Sequence, residues 1–176
     1  EDLADLVPRD LEVSKFYLTE YTATLGQKPA ARAAFIRDWS AGCVLLNYQG
    51  HGAPRQLADE VLFLSTDIPS LTNGSRLPLF LPLSCTVSEF DDPEQQSMCE
   101  DLIASATGGA IATVGATTPT YVPTNASLNV RLFQQLFAAG ATSRVPLGVV
   151  LQVTKRISPP GNGRYNEPYV LLGDPA

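Results

Sequence analysis

Cys43-Val44-Leu45-Leu46-Asn47-Tyr48-Gln49-Gly50-His51-Gly52 is the stretch on which the fold turns. Its first six residues form a near-continuous apolar run, the pattern of a strand covered on both faces, and such strands belong to parallel sheets packed between helices. Immediately upstream, Ala31, Phe35, Ile36 and Trp39 fall on one helical face. Pro29 suits the first position of that helix, and Gly42 suits its end.

Working outward, residues 78–83 make a second buried run, which ends at Ser84-Cys85, and residues 110–114 make a third. The excursion from 50 to 76 is expected to hold a short helix around 67–71. Met98, Cys99, Leu102, Ile103 and Ala106 form a helical stripe that Gly108-Gly109 terminates. Leu128, Leu132, Phe133, Leu136 and Phe137 mark another helix, closed at Gly140, and Leu147, Val150, Leu151 and Thr154 mark one more. Residues 158–163 read as a loop and 169–172 as a short last strand before Gly173-Asp174-Pro175. Near the start, 11–18 reads as a strand. Strands alternating with helices in a single 176-residue domain predict an α/β fold with a mostly parallel sheet flanked by helices.

Composition narrows the function. A net charge of −6 without a basic stripe argues against nucleic-acid binding, which needs clustered Lys and Arg. No apolar run approaches the ~20 residues of a membrane span. Cys43, Cys85 and Cys99 cannot all pair within the chain, and with one histidine their spacing matches no zinc site, so neither a metal nor a cofactor is expected.

In open α/β sheets, ligands bind beyond the carboxyl ends of the strands. The first run delivers His51 to that edge and the second delivers Cys85. Strands joined by a crossover commonly lie side by side, which would bring the two residues face to face. A thiol becomes a nucleophile as the thiolate, and histidine is the base suited to neutral pH. Glycines on both sides of His51 permit close backbone approach, and the Gly52 and Cys85 amides are candidate donors to an oxyanion. A lone cysteine is more often an inert small hydrophobe. Cys43, within a strand, and Cys99, on an apolar helical face, are expected to be that.

These residues sit in a larger ordered set: Leu46 to Gly52, Leu71-Thr72-Asn73 before Leu77-Pro78, Ser84-Cys85 followed by Glu89-Phe90, Cys99-Glu100-Asp101-Leu102, residues 109–115, and Leu172-Gly173-Asp174-Pro175. An apolar block with His-Gly, then one ending in a small residue and Cys, is shared by caspase-like peptidases, and within them the sequence resembles the gingipain family. The resemblance implies a caspase-like three-layer sandwich and a cysteine endopeptidase working through a thioester acyl-enzyme, with catalytic His51 and Cys85 and an oxyanion hole at Gly52 and Cys85. It also implies a cleft bordered by Thr86 and the loop 116–121, with Thr117 and Tyr121 toward the substrate and Tyr121 as an aromatic pocket wall.

A protein or peptide substrate and a secreted or cell-surface location follow from the family alone. Some relatives act as signal peptidases or transpeptidases, and an inactive peptidase-like binding module is the alternative from another class. The sequence departs from the family at Ser88, where gingipains usually carry glycine. It also lacks the family's first strand and upstream acids, because residues 11–18 resemble the second strand. An N-terminal segment, in cis or as a second chain, is therefore expected to pair beside 11–18 and to supply the acid that orients His51. Asp59 and Glu60 lie on the outgoing loop. Asp91, Asp92 and Glu94 read as a solvated acidic loop, and the sequons at Asn73 and Asn125 matter only in a eukaryotic secretory host.

Overall fold

A computed structural model of the chain describes residues 3–138, 145–157 and 167–175. In chain order the main elements are α1 (Pro29–Ala41), β1 (Leu45–Gln49), β2 (Gly52–Ala53), β3 (Gln56–Leu57), β4 (Phe63–Leu64), β5 (Leu79–Leu83), α2 (Met98–Ala104), β6 (Ala112–Ala116), α3 (Val122–Phe137), α4 (Leu147–Arg156) and β7 (Tyr169–Gly173). The expected helix closure at Gly140 and the loop at 158–163 lie outside the described residues. Gly42 ends α1 at φ 86°, a conformation that side-chain-bearing residues avoid.

The main sheet has the order β1-β5-β6-β7. β1 pairs with β5 and β5 with β6 in parallel, while β7 runs antiparallel to β6. Alternation along β5 sends Phe80 to one face and Leu81 and Leu83 to the other, as the period of two requires. On the Phe80 side lie Phe35 and Trp39 of α1 and Met98 and Leu102 of α2. On the Leu81 side lie Leu128, Leu132 and Phe133 of α3 and Val150 and Leu151 of α4. Two helical layers thus enclose the sheet in a caspase-like α/β sandwich. Each large side chain buried this way stabilises by about 1.5–3 kcal/mol.

Trp39 anchors the first layer. Its ring stacks on Phe63 at 5.0 Å and meets Phe80 at 5.0 Å, and its Nε1 donates to the Gly109 carbonyl at 3.1 Å. Asn73 grips the same residue: Nδ2 donates to Gly109 O at 3.0 Å, and Gly109 N–H donates to Oδ1 at 3.0 Å.

Residues 11–18 do not form a strand. Leu11, Val13 and Tyr17 point to solvent, at 39%, 45% and 51% exposure. Phe16 instead stacks on Tyr21 at 5.1 Å and meets Phe35 edge-on at 5.8 Å, so the segment's apolar content goes to an aromatic cluster. Among the described residues, the edge strands of the sheet are β1 and β7.

The excursion after His51 holds a small antiparallel sheet, β2-β3-β4, and the expected short helix, which is of the 3-10 type and spans Ser65–Ser70. The buried Asp67 organises it. Arg32 Nε and Nη2 reach the two carboxylate oxygens at 2.9 and 2.6 Å, and Leu64 N–H donates to Oδ2 at 2.9 Å. The Asp67 hydrogen bond holds the Arg32 guanidinium above its ordinary pKa, and the bidentate fork ties the excursion to α1.

Candidate active site

The parallel register of β1 and β5 runs from Leu45↔Leu79 to Gln49↔Leu83. His51 and Cys85 each follow that last pair by two residues, so they leave the same sheet edge side by side. Beyond the pair the two segments touch. A Cβ on Gly52 would lie 2.5 Å from Ser84 Oγ, 2.9 Å from Ser84 Cβ and 3.0 Å from the Cys85 carbonyl oxygen. Only glycine permits that approach.

His51 is exposed, but its backbone is fixed. Its carbonyl accepts from the Tyr48 hydroxyl at 2.7 Å and from Ala58 N–H at 2.9 Å. Burial pushes the Tyr48 phenol well above its ordinary range, so it remains a neutral donor. Among the described residues, no hydrogen bond or ion pair joins a carboxylate to the imidazole. Glu60 turns toward Lys28, 3.9 Å away.

Cys85 is half-buried. Thr86 follows at φ 50°, a left-handed conformation rare for a β-branched residue. The next two residues, Val87 and Ser88, are fully buried, Ser88 N–H donates to Ala116 O at 3.0 Å, and Cys99 N–H donates to Val87 O at 3.1 Å. The sharp turn at Thr86 is therefore clamped from behind by core residues. Ser88 fits because it faces Gly115, where a Cβ would collide with Ser88 Oγ.

Around the sulfur stands a residue the sequence did not single out. Thr120 N–H donates to Cys85 Sγ at 3.4 Å, Thr120 Oγ1 lies 3.7 Å from it, and Sγ points at Thr120 O at 3.5 Å. Asn125 Nδ2 donates to Thr120 Oγ1 at 2.9 Å. The expected cleft residues are spread more widely. Thr86 N–H reaches Thr118 O at 3.4 Å, Thr117 donates through both N–H and Oγ1 to Pro168 O at 3.0 and 3.2 Å, and Tyr121 caps α3 at 62% exposure. Thr117 is thus tied to the backbone leading into β7.

The remaining candidates resolve into structure. Cys99 is fully buried, and burial pushes its thiol up to about 11, consistent with a core residue. Cys43 is not the core residue expected: β1 begins at Leu45, which leaves Cys43 exposed in the bend before it. Cys99→Ala is expected to lower unfolding stability by about 1–3 kcal/mol, and Cys43→Ala to stay within about 0.5 kcal/mol, as measured by denaturant titration. Asp92 accepts from Glu94 N–H at 2.8 Å, a bond that holds its carboxyl below the usual range and makes it a loop-shaping residue. Both sequon asparagines are buried, Asn73 at 1% and Asn125 at 4% exposure. Pro175 O accepts from Gly148 N–H at 2.9 Å, which gives the Gly173-Asp174-Pro175 turn a structural task at the start of α4. Among the described residues, no group of His, Cys, Asp and Glu could hold a metal ion, and no helix is long and apolar enough to cross a membrane.

The family model described as Peptidase family C25 matches residues 1–176. Among solved structures, the chain is similar to that of the Arg-specific cysteine proteinase gingipain R (RgpB), at 19% identity and a TM-score of 0.71, over 82% of this chain and 35% of that one. It is also similar to the complex of Porphyromonas gingivalis RgpB pro- and mature domains, at 17% identity and a TM-score of 0.68, over 82% of this chain and 36% of that one. At such identities the likeness is one of fold, and the chain spans about a third of the length of these structures. No curated protein matches the sequence.

Proposed function

The chain belongs to peptidase family C25, and from that premise we propose that it hydrolyses peptide bonds, with Cys85 as nucleophile and His51 as proton-transfer partner. One observation carries the reading: Gly52 approaches Ser84 and Cys85 so closely that no side chain fits between them, at the ends of two strands in matched register.

In the proposed reaction, His51 accepts the Cys85 thiol proton and the sulfur bonds to the scissile carbonyl carbon. The carbonyl electron pair moves to oxygen, where the Gly52 and Cys85 amides stabilise it. Collapse of this intermediate breaks the C–N bond, and the leaving amine takes the proton from His51. A water then gives its proton to His51 and attacks the thioester, and expulsion of the sulfur releases the acid and regenerates the thiol. Thr86, Thr117 and Tyr121 border the substrate in this scheme. Protein or peptide substrates outside the cell or at its surface suit the family.

Incubation of the full-length protein with a denatured protein substrate, followed by mass spectrometry of the products, tests the reading. New peptide termini that vanish after alkylation of Cys85 are expected. Cleavage that persists after Cys85 is fully alkylated would refute the assignment.

A further inference from the structure

Two side-chain groups, Asn125 Nδ2 and Thr120 Oγ1, line up behind Cys85, and their polarity follows from one carbonyl. Asn125 Nδ2 lies 3.4 Å from Leu83 O as well as 2.9 Å from Thr120 Oγ1. A backbone carbonyl only accepts, so the amide nitrogen of Asn125 must face Leu83, which settles the orientation of the amide. Its second N–H then points at Thr120 Oγ1, which accepts. The Thr120 hydroxyl proton is left to be donated elsewhere, and Cys85 Sγ lies 3.7 Å away, within the longer reach of sulfur. Thr120 N–H is already directed at the same sulfur from 3.4 Å.

We propose that Thr120 is a positioning residue for the Cys85 thiolate, donating to it through both N–H and Oγ1–H, with Asn125 holding the hydroxyl in its donating orientation. Two donors aimed at one sulfur hold it in place for attack. In the thiol state the S–H is directed instead at Thr120 O, 3.5 Å away, so the same residue serves the sulfur in both protonation states. Thr120 immediately precedes Tyr121, the N-cap of the sixteen-residue α3, and the positive end of a helix favours negative charge nearby. Burial sets the geometry, because Asn125 is 4% exposed and cannot swing away. The Tyr169 hydroxyl is buried on the same side, close to both Thr120 and Cys85, and is the competing acceptor for the Thr120 proton.

This inference rests on Cys85 being the nucleophile, yet its test is separable from that reading. In the full-length protein, the rate of Cys85 alkylation by iodoacetamide is followed across pH by peptide mass spectrometry, which distinguishes it from Cys43. Thr120→Val keeps shape and the backbone N–H but removes the hydroxyl. It is expected to slow Cys85 alkylation about tenfold on the acid side of the profile, the size of one lost hydrogen bond to a charged group, and to move the profile to higher pH. Thr120→Ser is expected to restore it, and Asn125→Leu to give a smaller displacement in the same direction. If Thr120→Val does not fold, Thr120→Ala carries the same expectation. An alkylation profile unchanged by loss of the hydroxyl overturns the proposal, even if Cys85→Ala is inactive. A displaced profile sustains it, even if peptide cleavage proves to depend on another residue.

Discussion

Cys85→Ala is expected to lower peptide-bond cleavage by at least ~10³-fold, the scale of loss when a nucleophile is removed from other hydrolases that act through one. His51→Ala should do the same, since no base then takes up the thiol proton and the leaving amine has no proton donor. Neither loss should come from unfolding. His51 is exposed and Cys85 only half-buried, so each truncation leaves the sandwich intact. Circular dichroism and melting temperature, recorded beside the cleavage rate, separate the two causes. Full activity in either variant contradicts the assignment. Inactivity of a stably folded Cys43→Ala variant would point to the wrong thiol having been chosen.

Gly52→Ala should lower the rate by about 10²-fold through misplacement of reacting groups. The added Cβ would meet Ser84 Oγ at 2.5 Å and the Cys85 carbonyl oxygen at 3.0 Å. Ser84 is fully buried and cannot swing outward, and the second obstacle is backbone. The His51-Gly52 segment and the Ser84-Cys85 segment must therefore move apart. A second substitution, Ser84→Gly, removes the two nearest atoms and should restore part of the rate. Wild-type kinetics for Gly52→Ala would show that the close approach of these segments is irrelevant to the chemistry.

The parts of the fold that sequence reading captured are those whose signal is local and long. The runs ending at Gln49 and Leu83 are apolar because both sheet faces are covered, and the stripe from Ala31 to Trp39 repeats at the helical period because α1 packs on one side. The helix beginning at Met98 carried a further signal that went unread: Ser97 and Glu100 form a capping box, with Ser97 N–H donating to Glu100 Oε2 at 2.8 Å. The small sheet after His51 escaped because two-residue strands are too short to alternate. Residues 11–18 misled because Phe16 and Leu18 mimic a buried strand face while serving an aromatic cluster.

The site divides in the same way. His51, Gly52 and Cys85 stand next to the runs that place them, whereas Thr120 reaches the sulfur, with Asn125 behind it, only because the loop after β6 returns to Cys85 before α3 begins. The family resemblance implied that the loop 116–121 borders the cleft, but no residue pattern singles out Thr120 within it. Asn125 drew attention only as a sequon, although in the structure its side chain is directed inward, to Thr120 and Leu83.

The central claim is that Cys85, assisted by His51, is the reacting nucleophile. It is tested most directly by treating the full-length protein with a peptide-directed, thiol-reactive ketone and mapping the adduct by mass spectrometry. The account predicts a single adduct on the Cys85 sulfur, formed far faster than with free cysteine, and a collapse of that rate in His51→Ala. An adduct on Cys43, or reaction at Cys85 no faster than with free cysteine, would contradict it.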